Sequence, residues 1–228
     1  MNAPTPHLLG PNDEVEDHPI TTTANYESDL ALLNYLLQDL RALIRQARRG
    51  DVTLHDQQVI NWEVHGLARR TVICDPARLM EIADVQLVGF FGDRRAEANK
   101  PVVDQSEFDL IDEFANYPGI MSYSSVELDD GYWANLVVHR EPDDREAWRG
   151  SEVHRDAVDR VAPMAYHGVR IHNGCILDGV AGTQTAVLEC TKYWDYDVEP
   201  TWHAIRTLPG GETIEPSGPG AKPSEPPT

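Results

Sequence analysis

Four residues in the middle of the chain have side chains that could carry chemistry at spacings a fold could use: Tyr123, Trp133, Asn135 and His154. Imidazole titrates near neutral pH and its nitrogen binds metals, so His154 could be a general base, an axial ligand, or a hydrogen-bonded core histidine. Asn135 could donate to a substrate carbonyl or a developing enolate, or satisfy neighbouring backbone. Tyr123 and Trp133 suit the walls of a pocket. Arg170 and His172 share a face if their segment is extended, where they could hold an anionic or carbonyl group together; alternatively Arg170 pairs with one of the chain's many acids. His167 and His172 stand five apart, a spacing that serves neither a strand face nor a helical metal pair. The three cysteines, Cys74, Cys175 and Cys190, lack knuckle spacing, so no metal site is expected and the thiols read as reduced and structural. Asp195 and Asp197 could be paired carboxylates, although acids are abundant enough for chance to place them so. No phosphate-cradling glycine loop, nucleophile elbow or dinucleotide fingerprint is present.

The elements that must position these residues begin with a hairpin. Two runs of strand-forming residues, 120–128 and 132–139, flank Asp129-Asp130-Gly131, with glycine where a left-handed backbone is needed. Pairing Leu128 with Tyr132 puts Tyr123, Ser125 and Glu127 on one face with Trp133, Asn135 and His139. The other face then carries Ile120, Val126, Ala134, Leu136 and Val138. His139 ends its strand and is expected at the surface. A helix follows Pro142 and stops at Pro163; its stripe of Ala147, Ser151, His154, Val158 and Val161 places His154 on the buried side.

Upstream, Leu30, Leu33, Leu36, Leu37, Leu40 and Ile44 predict an amphipathic helix over 27–49, capped by Ser28 and stopped at Gly50. Residues 59–64 read as a strand, and Asp75-Pro76 opens a short helix. A strand over 85–91 precedes a helix over 106–117 with Phe108, Ile111 and Phe114 or Ala115 inward. Residues 165–182 read as an irregular insert, and 185–194 as the last strand. From residue 84 the order is therefore strand, helix, strand, strand, helix, strand. That is the ferredoxin-like split unit of an α+β fold, an antiparallel sheet with two helices on one face. The expected division is a disordered arm at 1–26, a helical extension at 27–83, the α+β domain at 84–208 and a disordered tail at 209–228.

The chain has 228 residues, 41% of them hydrophobic, enough for one domain with extensions. A formal net charge of -19 argues against a sequence-independent hold on nucleic acid or an anionic membrane. No apolar run approaches the roughly 20 residues of a membrane span, and the acidic start lacks a signal peptide's basic and hydrophobic parts. A cytoplasmic protein is expected.

The strand DVQLVGFF, the hairpin MSYSSVELDDGYWANLVVH and the helix containing EAWRGSEVHRDA resemble dimeric α+β-barrel proteins of the antibiotic-biosynthesis-monooxygenase type, over residues 84–196. Trp148, Ser151 and His154 stand where that family's second helix carries a tryptophan, a serine and a bulky residue or histidine. The resemblance implies a homodimer packed sheet to sheet around a small apolar or aromatic substrate. It implies a cofactor-independent monooxygenase-like oxidoreductase acting on an aromatic or polyketide-like compound. In that reading His154 and Asn135 are catalytic, and Tyr123, Trp133, Arg170 and His172 bind substrate. It also admits a heme-binding enzyme or a non-catalytic dimeric binding protein as alternatives. Val158 occupies the place where heme-degrading relatives carry their iron ligand.

Overall fold

The computed structural model describes residues 5–64, 66–81, 84–128 and 131–209. The strands are β1 (His7–Leu9), β2 (Gln58–Val64), β3 (Leu67–Ile73), β4 (Val85–Arg94), β5 (Ile120–Glu127), β6 (Tyr132–His139), β7 (Tyr166–Ile176), β8 (Val187–Asp195) and β9 (Trp202–Thr207). The helices are α1 (Thr23–Arg49), α2 (Pro76–Glu81), α3 (Lys100–Glu113), α4 (Pro142–Arg149), α5 (Glu152–Asp156) and α6 (Ala162–Ala165). All nine described strands form one mixed sheet in the order β1-β9-β8-β7-β4-β6-β5-β3-β2, antiparallel except where β1 runs parallel to β9. The protein is thus α+β, with a sheet much larger than the four strands expected.

The leucine stripe forms α1 as expected, and Gly50 ends it in a left-handed conformation with φ 77°. The helix starts at Thr23, earlier than Ser28, whose hydroxyl instead donates to the Asn25 carbonyl. Leu33, Leu36, Leu37, Leu40 and Ile44 are buried against Leu87, Phe91, Met121, Ala134, Leu136 and Val138 of the sheet. Each such side chain contributes about 2 kcal/mol by leaving water. α1 therefore covers the face that sheet-to-sheet pairing of two copies would need. The close approach depends on Gly89, where an added Cβ would lie 2.7 Å and 2.8 Å from the two methyls of Leu33. Gly89→Ala is expected to cost about 1–3 kcal/mol by forcing α1 off the sheet; urea unfolding with an unchanged m-value would measure it, and a wild-type midpoint would contradict this packing.

The hairpin forms as expected, with Asp129 and Asp130 outside the described residues. Tyr123, Ser125, Glu127, Trp133 and Asn135 share a face, and it is the face that packs under α3 and α4. A register shift between Ile120 and Ser122 turns Ile120 onto that same face, where it packs with Tyr123, Val137 and Trp148. His139 joins them and is 1% exposed, contrary to the expected surface position.

The second helix is broken into pieces. Gly150 caps α4, and Ser151 caps α5 by accepting from the His154 backbone N–H at 3.3 Å. A π turn over Ala157–Val161 then leads into α6, so Pro163 lies inside the helical run instead of ending it. The widened turn accommodates the ring that would clash with the carbonyl four residues back. Its inward residues are Trp148, Ser151, Val161, Ala162 and Ala165, while Val158 is 37% exposed.

Two expectations of disorder or irregularity are corrected. Within residues 5–26, β1 pairs with β9, and His18 Nδ1 lies 2.7 Å from Asp195. Residues 166–176 are not an insert but β7, which pairs with β4 on one side and β8 on the other. The expected strand over 185–194 is β8, one position further out, and the sequence reading missed β3 and β9. Residues 210–228 lie outside the described residues.

Candidate functional site

Residues of four strands, β2, β3, β5 and β6, and of α3 build a cleft of about 260 Å³. Its lining includes Trp62, Arg70, Lys100, Glu107, Ser125 and Trp133, with Phe108 at its side. Strand alternation supplies the floor: Arg70 stands opposite Ser125 across β3 and β5, and Glu127 opposite Trp133 across β5 and β6. α3 lowers Glu107 onto this floor, where it accepts from the Tyr123 hydroxyl at 2.9 Å and the Ser125 hydroxyl at 3.1 Å and pairs with Arg70. Burial, followed by the charge of Glu107, pushes the Tyr123 phenol well above its ordinary pKa, so it stays a donor. The Arg70 guanidinium lies 4.9 Å over the Phe108 ring, and Arg94 lies 5.2 Å over Trp133 while bonding Glu127 at 2.5 Å. Lys100 is shared between Asp104 at 3.0 Å and Glu127 at 3.7 Å. Aromatic faces, a fixed carboxylate and oriented hydroxyls can hold a small planar molecule by stacking and directed hydrogen bonds.

Trp133 lines the cleft, and the Tyr123 hydroxyl reaches its edge through the bond to Glu107. Phe108 is 48% exposed and borders the cleft instead of entering the core as expected. Asn135 lies on the same face, between Phe90 and Ser125 in the sheet ladder, outside the residues that line the cleft. His154 is not brought to Asn135. Its ring centroid is 5.1 Å from that of Trp148, and burial, then Arg149, lowers its pKa to about 4. His154 in turn acts on His139, which stands four residues beyond Asn135 on β6 and therefore roughly 13 Å further along the strand.

Arg170 and His172 do share a face and do hold a carboxylate together, and that carboxylate is the chain's own Asp29. Arg170 bonds it through Nε at 2.6 Å and Nη2 at 2.8 Å, and His172 Nε2 lies 2.9 Å from the same group. His172 Nδ1 is 2.9 Å from the Thr191 hydroxyl. Burial pulls the His172 pKa down in spite of Asp29, so the ring is neutral at pH 7 and donates from Nε2 while accepting from Thr191. Burial alone would raise the Asp29 pKa, but bonds from Arg170 and His172 bring it below the ordinary carboxylate value. Every member is buried, so this network ties α1 to β7 and β8 and leaves no room for substrate.

The remaining candidates are tied up in local contacts. His167 Nδ1 lies 3.2 Å from Arg95 and 2.9 Å from Asp197. Asp195 bonds His18 and accepts from the Asp197 backbone N–H, so the two aspartates do not form a carboxylate pair. No group of three or more potential metal ligands occurs among the described residues. Cys74, Cys175 and Cys190 are free thiols, and burial pushes Cys74 up to about 12. A second cleft, of about 370 Å³, lies between α3 and the π turn and is lined by Gln105, Asp109, Val153, Asp156 and Arg160 among others. Neither of these two clefts is lined by a histidine, and His154 packs its ring on Trp148.

The fold and cleft define an α+β protein whose nine described strands form one mixed sheet, with α1 on one face and α3 to α6 on the other. Among the described residues no helix is long and apolar enough to cross a membrane. No protein-family model, curated protein or solved structure matches the chain.

Proposed function

We propose that this is a small-molecule-binding protein whose ligand is a compact aromatic compound bearing a hydroxyl or carboxylate, held beside Trp133. The observation that carries this reading is Glu107, oriented by Tyr123, Ser125 and Arg70 at the back of a cleft bordered by Trp133 and Phe108. The four central strands run β7-β4-β6-β5, with α3 and α4 to α6 as the two connections over one face. This strand order supports the reading of a ferredoxin-like split unit within the larger sheet, and with it a distant kinship with the α+β-barrel proteins. Cofactor-independent oxygenase chemistry on the same ligand would be the catalytic form of this reading. A base and an oxyanion donor would then have to meet at one substrate. The His154 ring packs on Trp148 and Asn135 lies outside the residues lining the cleft, which favours binding over catalysis by this pair.

Tryptophan fluorescence against a panel of phenols, quinones and aromatic carboxylates tests the proposal. A saturable change is expected, with Trp133→Ala binding about three- to tenfold more weakly through lost stacking. No saturable response across the panel, or an unaltered affinity in that variant, would count against the cleft.

A further inference from the structure

The two edges of the sheet differ. β1, at one end, is three residues long and gives way to Gly10 and Pro11, so it offers little to a further strand. β2, at the other end, is seven residues long and pairs with β3 at every position without a bulge. It contains no Pro, Lys or Arg, and its one charge is Glu63, in a chain where 25% of the residues are charged. Prolines, lysines and bulges are what keep an edge strand from pairing, and β2 has none of them. No described strand lies on its outer side.

The direction of its free backbone groups follows from β3. Just past that strand, the Cys74 N–H donates to the Met121 carbonyl of β5 at 2.9 Å. Alternate residues turn their backbone groups to opposite neighbours, so Val72 and Arg70 also face β5, while Ile73, Thr71, Arg69 and Leu67 face β2. The partners of those four are Gln58, Ile60, Trp62 and Val64, which leaves Val59, Asn61 and Glu63 with N–H and C=O directed outward. The side chains of these three are exposed on the α3 side, where Arg70 Nε donates to Asn61 Oδ1 at 3.1 Å and the guanidinium lies over Phe108. Ile60 and Trp62 emerge on the α1 side, where Arg69, opposite Trp62, lies 4.3 Å over the Tyr35 ring. Val59 at 46% exposure, Tyr35 at 38% and Phe108 thus gather large apolar groups at one edge.

We propose that β2 pairs antiparallel with β2 of a second copy of this chain about a two-fold axis at Asn61, joining the two sheets into one. That axis engages all three outward residues: Asn61 meets its own copy and Val59 meets Glu63 of the second copy, for about six backbone hydrogen bonds. Between them Ile60 meets Trp62 of the second copy, once on each side of the axis, an aromatic pair with a β-branched residue. The two Glu63 carboxylates stand at opposite ends of the ribbon, each against a valine, so no like charges oppose. This self-complementarity singles out a second copy over a foreign strand. α1 closes the sheet's face to such a partner and leaves the edge open to it. The interface stands whether or not the Trp133 cleft binds a ligand.

Sedimentation velocity of the full chain from about 1 to 300 μM tests the pairing, with a concentration-dependent shift to twice the chain mass expected. Val59→Glu sets a carboxylate against Glu63 of the second copy at both ends and should weaken the dimer about tenfold. Val59→Lys meets the same carboxylate with a cation and should tighten it about threefold at low salt. Val59 is exposed, so neither variant disturbs the core. In hydrogen exchange the amides of Val59, Asn61 and Glu63 should slow as concentration rises, while those of Ile60 and Trp62 stay unchanged. A monomer throughout, equal dimer affinities in the two Val59 variants, or concentration-dependent protection confined to other residues would overturn the proposal.

Discussion

Asp29→Asn is expected to remove about 3–5 kcal/mol of folding stability, because it strands the Arg170 guanidinium beneath α1 without its counter-charge. Both side chains of the pair are almost wholly buried, at 5% and 4% exposure, so water cannot replace the lost carboxylate. His172 suffers too, since its Nε2–H then faces an amide in place of an anion. Urea unfolding should show the midpoint falling at constant m, and the double variant Asp29→Asn with Arg170→Met should recover part of the loss. A single variant as stable as wild type would mean that the network does not hold α1 to the sheet.

Acid should act first through buried His139 and half-buried His154, not carboxylates. Burial, then Arg145, Arg149 and His154, pulls His139 down to about 3, and burial, then Arg149, pulls His154 down to about 4. Both folded-state values lie below the ordinary histidine pKa of about 6.5, so the stability they confer is fully present above that pH. It is lost as pH falls from about 6.5 towards the folded values, because the unfolded chain takes up protons that the folded one refuses. Each histidine should contribute roughly 1.4 kcal/mol per pH unit inside that window. Chemical denaturation at pH 7, 6 and 5 should therefore show a steep decline, with a slope shallower by about one proton in His139→Gln. A flat profile above pH 4.5 would contradict the burial of His139.

Much of the frame was legible because its signals are local. The leucine stripe of α1, its stop at Gly50 and the hairpin of β5 and β6 each follow from residues close in sequence. β7 was not legible, for a physical reason. Its Arg170 and His172 look like loop residues until they meet Asp29, 141 and 143 residues away. β3 was hidden in the same way: Arg69 and Arg70 interrupt its apolar run and are neutralised by Asp39 on α1 and Glu107 on α3. The shift at the start of β5 reversed Ile120, which alternation alone could not reveal. Of the site residues, Trp133 and Tyr123 were readable from the hairpin pattern. Glu107 was lost among 38 acids, and its only signal was a place on the inward side of α3 near the level of Phe108.

The cleft beside Trp133 can be read directly by resonance mapping on the full-length chain with the tightest compound from the aromatic panel. The indole N–H of Trp133, the Phe108 ring and the Ser125 amide should shift together and saturate at one affinity, while α1 stays unmoved. Shifts that cluster elsewhere, or that leave Trp133 and Glu107 untouched while the compound binds, would contradict a ligand site at this cleft.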